Sequence, residues 1–193
     1  MINNGSVVQP AHWEKRAEAG GSRAATADGA PRKHVISLYV SNKPGVLIRI
    51  ALVFARRAYN IDSLVVSEGH DPGFSHMSIT ASGDRKTLDQ ILKQLNKLVD
   101  VVHATDHTGD DIVQRELALI KLRCTQQTRH EILQVAHVFK CDAVNLTDAT
   151  ITLQVTGEPD KINALHRLLN GYGVLEMVRT GSVLIARGEE STY

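Results

Sequence analysis

Two stretches of fourteen residues, "SGDRKTLDQILKQL" from Ser82 and "TGEPDKINALHRLL" from Thr156, read alike. In each, a glycine closes one segment and an amphipathic helical pattern follows. Gly83 matches Gly157, Leu88 matches Ile162, Ile91 matches Leu165 and Leu95 matches Leu169. The helical patterns upstream align as well, Leu47 on Ile132, Ile50 on Val135 and Phe54 on Phe139. A chain that repeats itself in this way builds one small architecture twice. Each copy, at ~75 residues, stands near the lower size at which a domain folds alone, so packing between copies or oligomerisation is expected.

The segments between these marks give the order of elements. "HVISLYVS" (His34 to Ser41) reads as a strand, Asn42 to Gly45 break it, and Val46 to Arg57 read as a helix. "IDSLVVSE" and "FSHMSITASG" are two strands joined by the turn "GHDPG". Asp84 to Leu98 form a helix with Leu88, Ile91, Leu92 and Leu95 on one face, and "VDVVHATDH" is a fourth strand. The order β-α-β-β-α-β is that of the ferredoxin-like unit. After the polar break Thr108 to Asp111 it recurs. "IVQRELALIKLRC" is a strand, and Thr128 to Lys140 a helix opened by a capping box of Thr128 and Glu131. "DAVNLT" and "ATITLQVTG" are strands, Glu158 to Asn170 is a helix with Pro159 near its start, and "VLEMVRTGSVLIAR" closes the unit. The expected fold class is α+β, two consecutive ferredoxin-like βαββαβ units at 34–107 and 113–188, with a linker at 108–112 and a tail at 189–193. Residues 1–33, rich in Ala and Gly, are expected to be a flexible N-terminal extension.

Composition narrows the function. Lys and Arg number 22 and Asp and Glu 21, and aromatic residues make up 4% of the chain. Neither a basic field nor a stacking surface points to nucleic acid. No apolar run approaches the ~18 residues of a membrane span, and no secretory h-region is present. The two cysteines, Cys124 and Cys141, fit a reducing compartment, and a cytoplasmic location is expected. His103 and His107 are i, i+4 on a strand, which spreads them ~13 Å apart, too far for one metal. His130 and His137 lie two turns apart on a helix. No nucleophile elbow, P-loop or HExxH motif appears, so no active site is expected on this chain.

"SNKPGVLIRIALVFARRAYNID" (Ser41 to Asp62) is the stretch that carries chemistry. Its helix shows Leu47, Ile50, Ala51 and Phe54 on one face and Ile48, Leu52 and Ala55 on another. A helix apolar nearly all round needs cover on a second side, from the second unit or from another subunit. Pro44 and Gly45 turn the chain into that helix, and the unpaired N–H groups of its first turn suit a small carboxylate. Asn42 and Asn60 bring amides from opposite ends of the helix, so two copies packed together could complete a pocket that one copy cannot. From local chemistry alone, the plainer reading is that Asn42 caps the helix and Asn60 ends it in a turn.

"NKPGVL" resembles the opening of an ACT domain, a βαββαβ amino-acid-sensing module. With "YNIDSL", "QLNKLVDV" and "RELALIKL", the span from about His34 to Gly188 resembles the small regulatory subunits of acetolactate synthase (acetohydroxyacid synthase). The resemblance implies a first unit that is an ACT domain and a homodimer formed through it. It implies an effector, valine or else leucine or isoleucine, held by Asn42, Gly45, Val46 and Leu47 of one copy with Asn60 and Ile61 of the other. It also implies a catalytic large subunit as partner, carrying thiamine diphosphate, Mg and FAD, that condenses two pyruvates, or pyruvate with 2-oxobutyrate, in branched-chain amino-acid synthesis. The small subunit would activate that partner and confer feedback inhibition. The second unit, whose loop is "TQQTRH", lacks the Pro-Gly pair, and no effector site of this type is expected there. The alternative is a stand-alone ACT sensor acting on a different enzyme.

Overall fold

Alternation along β1 (Arg32–Ser41) sends Ile36, Leu38 and Val40 to one face, and all three are buried. The computed structural model describes residues 32–189, 191 and 192. The expectation for the N-terminal extension thus lies outside the described residues, except that Arg32 and Lys33 already belong to β1.

The first sheet has the order β2-β3-β1-β4, built from β1, β2 (Asn60–Glu68), β3 (Phe74–Gly83) and β4 (Val101–Asp106). Its pairs are antiparallel, and β1 runs against β3 in unbroken register from Arg32↔Gly83 to Ser41↔Phe74. Helices α1 (Val46–Ala55) and α2 (Arg85–Leu95) close one face. Ile50 and Phe54 from α1 and Leu88, Ile91 and Leu95 from α2 meet Ile36, Leu38, Met77 and Ile79 in one core. Burying each of these large side chains is worth roughly 1.5–3 kcal/mol. Asp84 caps α2, its carboxylate accepting from the Thr87 N–H at 2.8 Å; the Thr87 side chain first, and then this N–H, hold its pKa below the ordinary value.

The second sheet repeats the plan in the order β6-β7-β5-β8. Its strands are β5 (Ile112–Arg123), β6 (Asp142–Leu146), β7 (Thr150–Gly157) and β8 (Val174–Arg179), with helices α3 (Gln126–Val138) and α4 (Pro159–Leu169). Ala118, Ile120 and Leu122 of β5 bury against Ile151, Leu153 and Val155 of β7, Ile132 of α3, and Ile162, Leu165 and Leu169 of α4. Two consecutive ferredoxin-like units are therefore present; of the positions that the internal repeat marked, Leu88, Ile91 and Leu95 and their counterparts Ile162, Leu165 and Leu169 are core, whereas Leu47 is exposed while its counterpart Ile132 is buried.

Three details differ from the sequence reading. The helix expected at Thr128 begins at Gln126: Thr125 is its N-cap, and the capping box pairs Thr125 with Thr128 rather than Thr128 with Glu131. The closing segment is two strands, since Gly181 takes a left-handed backbone (φ 85) and breaks it. The last piece, β9 (Val183–Ala186), pairs with the first residues of β5, Ile112 to Arg115. Finally, Thr192 in the expected tail is buried: its carbonyl accepts from Ser37 Oγ at 3.1 Å, and its Oγ1 accepts from the Ala186 N–H at 2.8 Å.

Buried polar groups form a cluster in each half, and Ser37 in the first reaches Thr192 near the end of the chain. His107 Nε2 lies 2.7 Å from Ser37 Oγ, and its Nδ1 3.2 Å from Asp110 Oδ2. The serine, histidine and acid resemble a nucleophilic triad only in composition. Ser37 Oγ also lies 3.1 Å from Thr192 O, a carbonyl that competes with His107 for its one proton, and Ser37 is buried at 6% exposure. Glu116 sits buried where β5 leaves β9 to join β7, bonded to Arg179 Nε at 2.9 Å and to Ser182 Oγ at 2.6 Å. Among the described residues no helix is long and apolar enough to cross a membrane.

Candidate functional site: the loop into the first helix

β1 ends at Ser41, whose N–H donates to Asp100 O at 2.8 Å, and Val46 starts α1. Between them the chain turns on Gly45, the N-cap residue, at φ 85 and ψ −9. That left-handed backbone suits glycine and few other residues. Gly45 has no side chain to cap the helix, and the Val46 N–H finds only the Lys43 carbonyl, at 3.4 Å. The positive end of the α1 dipole is thus left for water or a ligand. No acidic side chain stands in its first turn.

The six sequence-predicted residues fall into two groups. Asn42, Gly45, Val46 and Leu47 share this loop and first turn. Asn42 does not cap the helix: its Nδ2 donates to Pro72 O at 3.1 Å and its backbone N–H to Gly73 O at 2.8 Å, which ties the loop to the β2–β3 turn. Val46 is a core residue at 2% exposure, whereas Leu47 is 42% exposed. Asn60 and Ile61 begin β2, beyond the other end of α1, a ten-residue helix about 15 Å long. Asn60 is exposed and donates to Asp62 Oδ1 at 2.8 Å, and Ile61 packs on the first core. One copy of the chain does not gather the two groups.

The second side of α1 is open. Besides Leu47, Ile48 is 66% and Leu52 46% exposed, so the second unit does not cover them. Of the two covers that an all-apolar helix called for, the intramolecular one is not used.

One feature of the loop lay outside the residues picked from sequence. Arg49 Nη2 pairs with Asp100 Oδ2 at 2.6 Å, and its Nη1 comes within 3.5 Å of where a Cβ on Gly45 would sit. Arg49 was readable as a cation on the helix, but Asp100 is remote in sequence and only the fold brings it close.

The corresponding loop of the second unit is built differently. Thr125 lends its own hydroxyl to the Thr128 N–H at 3.2 Å, and Thr128 Oγ1 accepts from the Thr125 N–H at 3.0 Å. The chain itself occupies that helix start. Of the histidines weighed as metal ligands, His103 lies 2.6 Å from Thr105 Oγ1 and His130 lies 2.9 Å from Gln134. Among the described residues no group of three or more His, Cys, Asp or Glu is placed to hold a metal. Cys124 is buried and Cys141 half-buried, where burial pushes its thiol pKa up.

Comparison with known proteins agrees with this architecture. Residues 36–103 match the family described as the AHAS small subunit-like ACT domain, and residues 115–188 the family described as the small subunit of acetolactate synthase. An acetolactate synthase small subunit of Aquifex aeolicus is 42% identical over 160 residues, covering 82% of this chain and 83% of that protein. A probable acetolactate synthase small subunit of Methanothermobacter thermautotrophicus is 40% identical over 162 residues, covering 83% of this chain and 96% of that protein. The crystal structure of the acetolactate synthase small subunit from Thermotoga maritima superimposes with a TM-score of 0.74 at 38% identity, over 82% of this chain and 99% of that one. The chain belongs to the acetolactate synthase small-subunit family, and its first βαββαβ unit is an ACT domain.

Proposed function

We propose that this chain is the regulatory subunit of an acetolactate synthase, acting in the cytoplasm. It binds a catalytic large subunit, which carries thiamine diphosphate, Mg and FAD and condenses two pyruvates to 2-acetolactate, or pyruvate with 2-oxobutyrate. It raises that subunit's activity and makes it sensitive to valine. Two copies pair through their ACT domains. The effector then lies between Asn42, Gly45, Val46 and Leu47 of one copy and Asn60 and Ile61 of the other, its carboxylate at the start of α1.

The observation that carries this reading is the state of α1: an uncapped first turn behind Gly45, next to exposed Leu47, Ile48 and Leu52. An apolar helix side left bare is a place for a second protein surface, and an uncapped helix start is a place for an anion. Effector binding would favour one arrangement of the paired domains, and coupling of about 1–3 kcal/mol would change activity 5–150-fold. The test is to mix the full chain with its catalytic subunit and follow acetolactate formation with and without valine. Stimulation by the chain and inhibition by valine are expected; the absence of both would reject the assignment.

A further inference from the structure

One corner of the second unit is packed on β2 of the first. Thr180 to Ser182 join β8 to β9 and bring buried Gly181 against that strand: a Cβ on it would lie 3.0 Å from Ser63 Cβ and 3.2 Å from Val65 Cγ2. With its backbone at φ 85, Gly181 presents main chain alone to both side chains. The corner is clamped to β5. The Thr180 N–H donates to Leu117 O at 3.0 Å, the Leu117 N–H to Thr180 Oγ1 at 3.1 Å, and Ser182 Oγ to buried Glu116 at 2.6 Å. Because β5 pairs with β7, β8 and β9, a displacement of the corner reaches the whole second sheet.

The other side of the contact is held less firmly. β2 is an edge strand, and its pairing with β3 shifts register between Ile61 and Ser63. Asp62 falls in that irregularity, its carboxylate accepting from Ser82 Oγ and, at 2.8 Å, from Asn60 Nδ2. A cavity of about 380 Å³ flanks the contact, lined by Asp62, Ser63 and Leu64 of the first unit and Glu116, Arg179 and Thr180 of the second, which leaves β2 room to move.

We propose that this contact carries the effector signal from the first unit to the second. When Asn60 turns its amide from Asp62 to the effector, the irregular start of β2 resettles, and Ser63 and Val65 pass the change to Gly181 and so to β5. The inference rests on the effector reading above and assigns its route to the second unit. β2 then has two arrangements, set by the partner that Asn60 takes, and an effector that engages Asn60 favours one of them. A shift of register already breaks the ladder, so that is where the strand yields. The rival route is the bond from Ser37 Oγ to Thr192 O.

Ser63→Ala combined with Val65→Ala trims the β2 side of the contact, and Gly181→Ala wedges it from the other side. For each full chain three quantities are measured: valine affinity by calorimetry, stimulation of the catalytic subunit without valine, and inhibition of the complex at saturating valine. The trimmed pair is expected to bind valine no more weakly than wild type and to stimulate as wild type does. Its inhibition by saturating valine is expected to fall below about twofold, where coupling of ordinary size gives about 5–150-fold. Gly181→Ala is expected to lose inhibition likewise, and the trimmed pair decides alone if the left-handed backbone keeps that variant from folding. Ser37→Ala is expected to stay inhibited. The proposal is overturned if the trimmed pair is inhibited as wild type is, if it loses valine binding together with inhibition, if it no longer stimulates, or if Ser37→Ala rather than the trimmed pair escapes inhibition. A wild-type chain that binds no valine would overturn the effector reading and this route with it, whereas a failure confined to the variants overturns the route alone.

Discussion

The two units of this chain share a topology and part ways at the loop that leads into the first helix of each. In the second unit, Thr125 and Thr128 bond each other's backbone N–H and close the helix start from within. In the first unit, Gly45 contributes no side chain, the first turn stays uncapped, and the helix behind it exposes Leu47, Ile48 and Leu52. A duplicated fold can thus keep one copy self-sufficient and leave the other unfinished. The unfinished copy is where a ligand and a second protein surface have something to add.

The glycines that end β3 and β7 give the sharpest test of how far the copies have diverged. A Cβ on Gly83 would lie 2.3 Å from the Tyr59 ring, which is buried in the first core beside Phe54. A Cβ on Gly157 would meet the Lys161 side chain at 2.6 Å, and that stem is flexible. Gly83→Ala is therefore expected to destabilise the protein by about 2–3 kcal/mol, as overpacking of a filled site does. Gly157→Ala is expected to cost under ~1 kcal/mol, because Lys161 swings aside and gives up only its bond to Thr156 O. Urea unfolding midpoints of the two variants decide it. Equal losses would mean that the copies treat this corner alike.

The loops themselves come next. Gly45→Asp puts a like charge where the effector carboxylate is proposed to rest, and asparagine and aspartate tolerate the left-handed backbone better than most residues. The expected outcome is a folded chain, destabilised by about 1 kcal/mol, whose catalytic complex no longer responds to valine. Thr125→Ala in the other loop removes a cap, which typically costs about 1 kcal/mol, and should leave the valine response as it was. Valine titrations of acetolactate formation, with thermal melts of both variants, separate the two loops. A valine response lost in Thr125→Ala and kept in Gly45→Asp would reverse the proposed division of labour.

The fold was largely legible because its signals are local. Period and spacing identified Leu88, Ile91 and Leu95, and their counterparts Ile162, Leu165 and Leu169, as core residues, and all six are fully buried. The misplaced capping box came from matching Thr128 with an acid three residues on. The same rule applied to Thr125 and Thr128 finds the observed cap, because a threonine hydroxyl can reciprocate as well as a carboxylate. The separate strand β9 was hidden in an apolar run, where "TGS" (Thr180 to Ser182) was the available turn signal. What sequence does not encode locally is which partner an exposed group takes. Asn42 bonds Pro72, thirty residues away, and Arg49 bonds Asp100 across the unit. The candidate site was thus readable as a list of positions, while its electrostatics needed the fold.

The smallest effect concerns Tyr59 and again sets the first core apart. Burial, then the charges of Asp84, Asp106 and Asp62, push its phenol up to about 12 from an ordinary 10. Between pH 10 and 12 the unfolded chain gives up this proton while the folded chain keeps it. The native state then holds more protons, so stability falls as pH rises through that window, and Tyr59 contributes no pH dependence below it. Tyr59→Phe keeps the ring over Gly83 and loses only a long bond of 3.5 Å to Asp84 O. At neutral pH it should change stability by less than about 1 kcal/mol. Denaturant midpoints of wild type and Tyr59→Phe, taken from pH 9 to 12, should therefore start close together and diverge as the wild type weakens faster. Parallel curves would mean that the phenol reaches water in the folded state, and that the corner where Tyr59 covers Gly83 is looser than its packing implies.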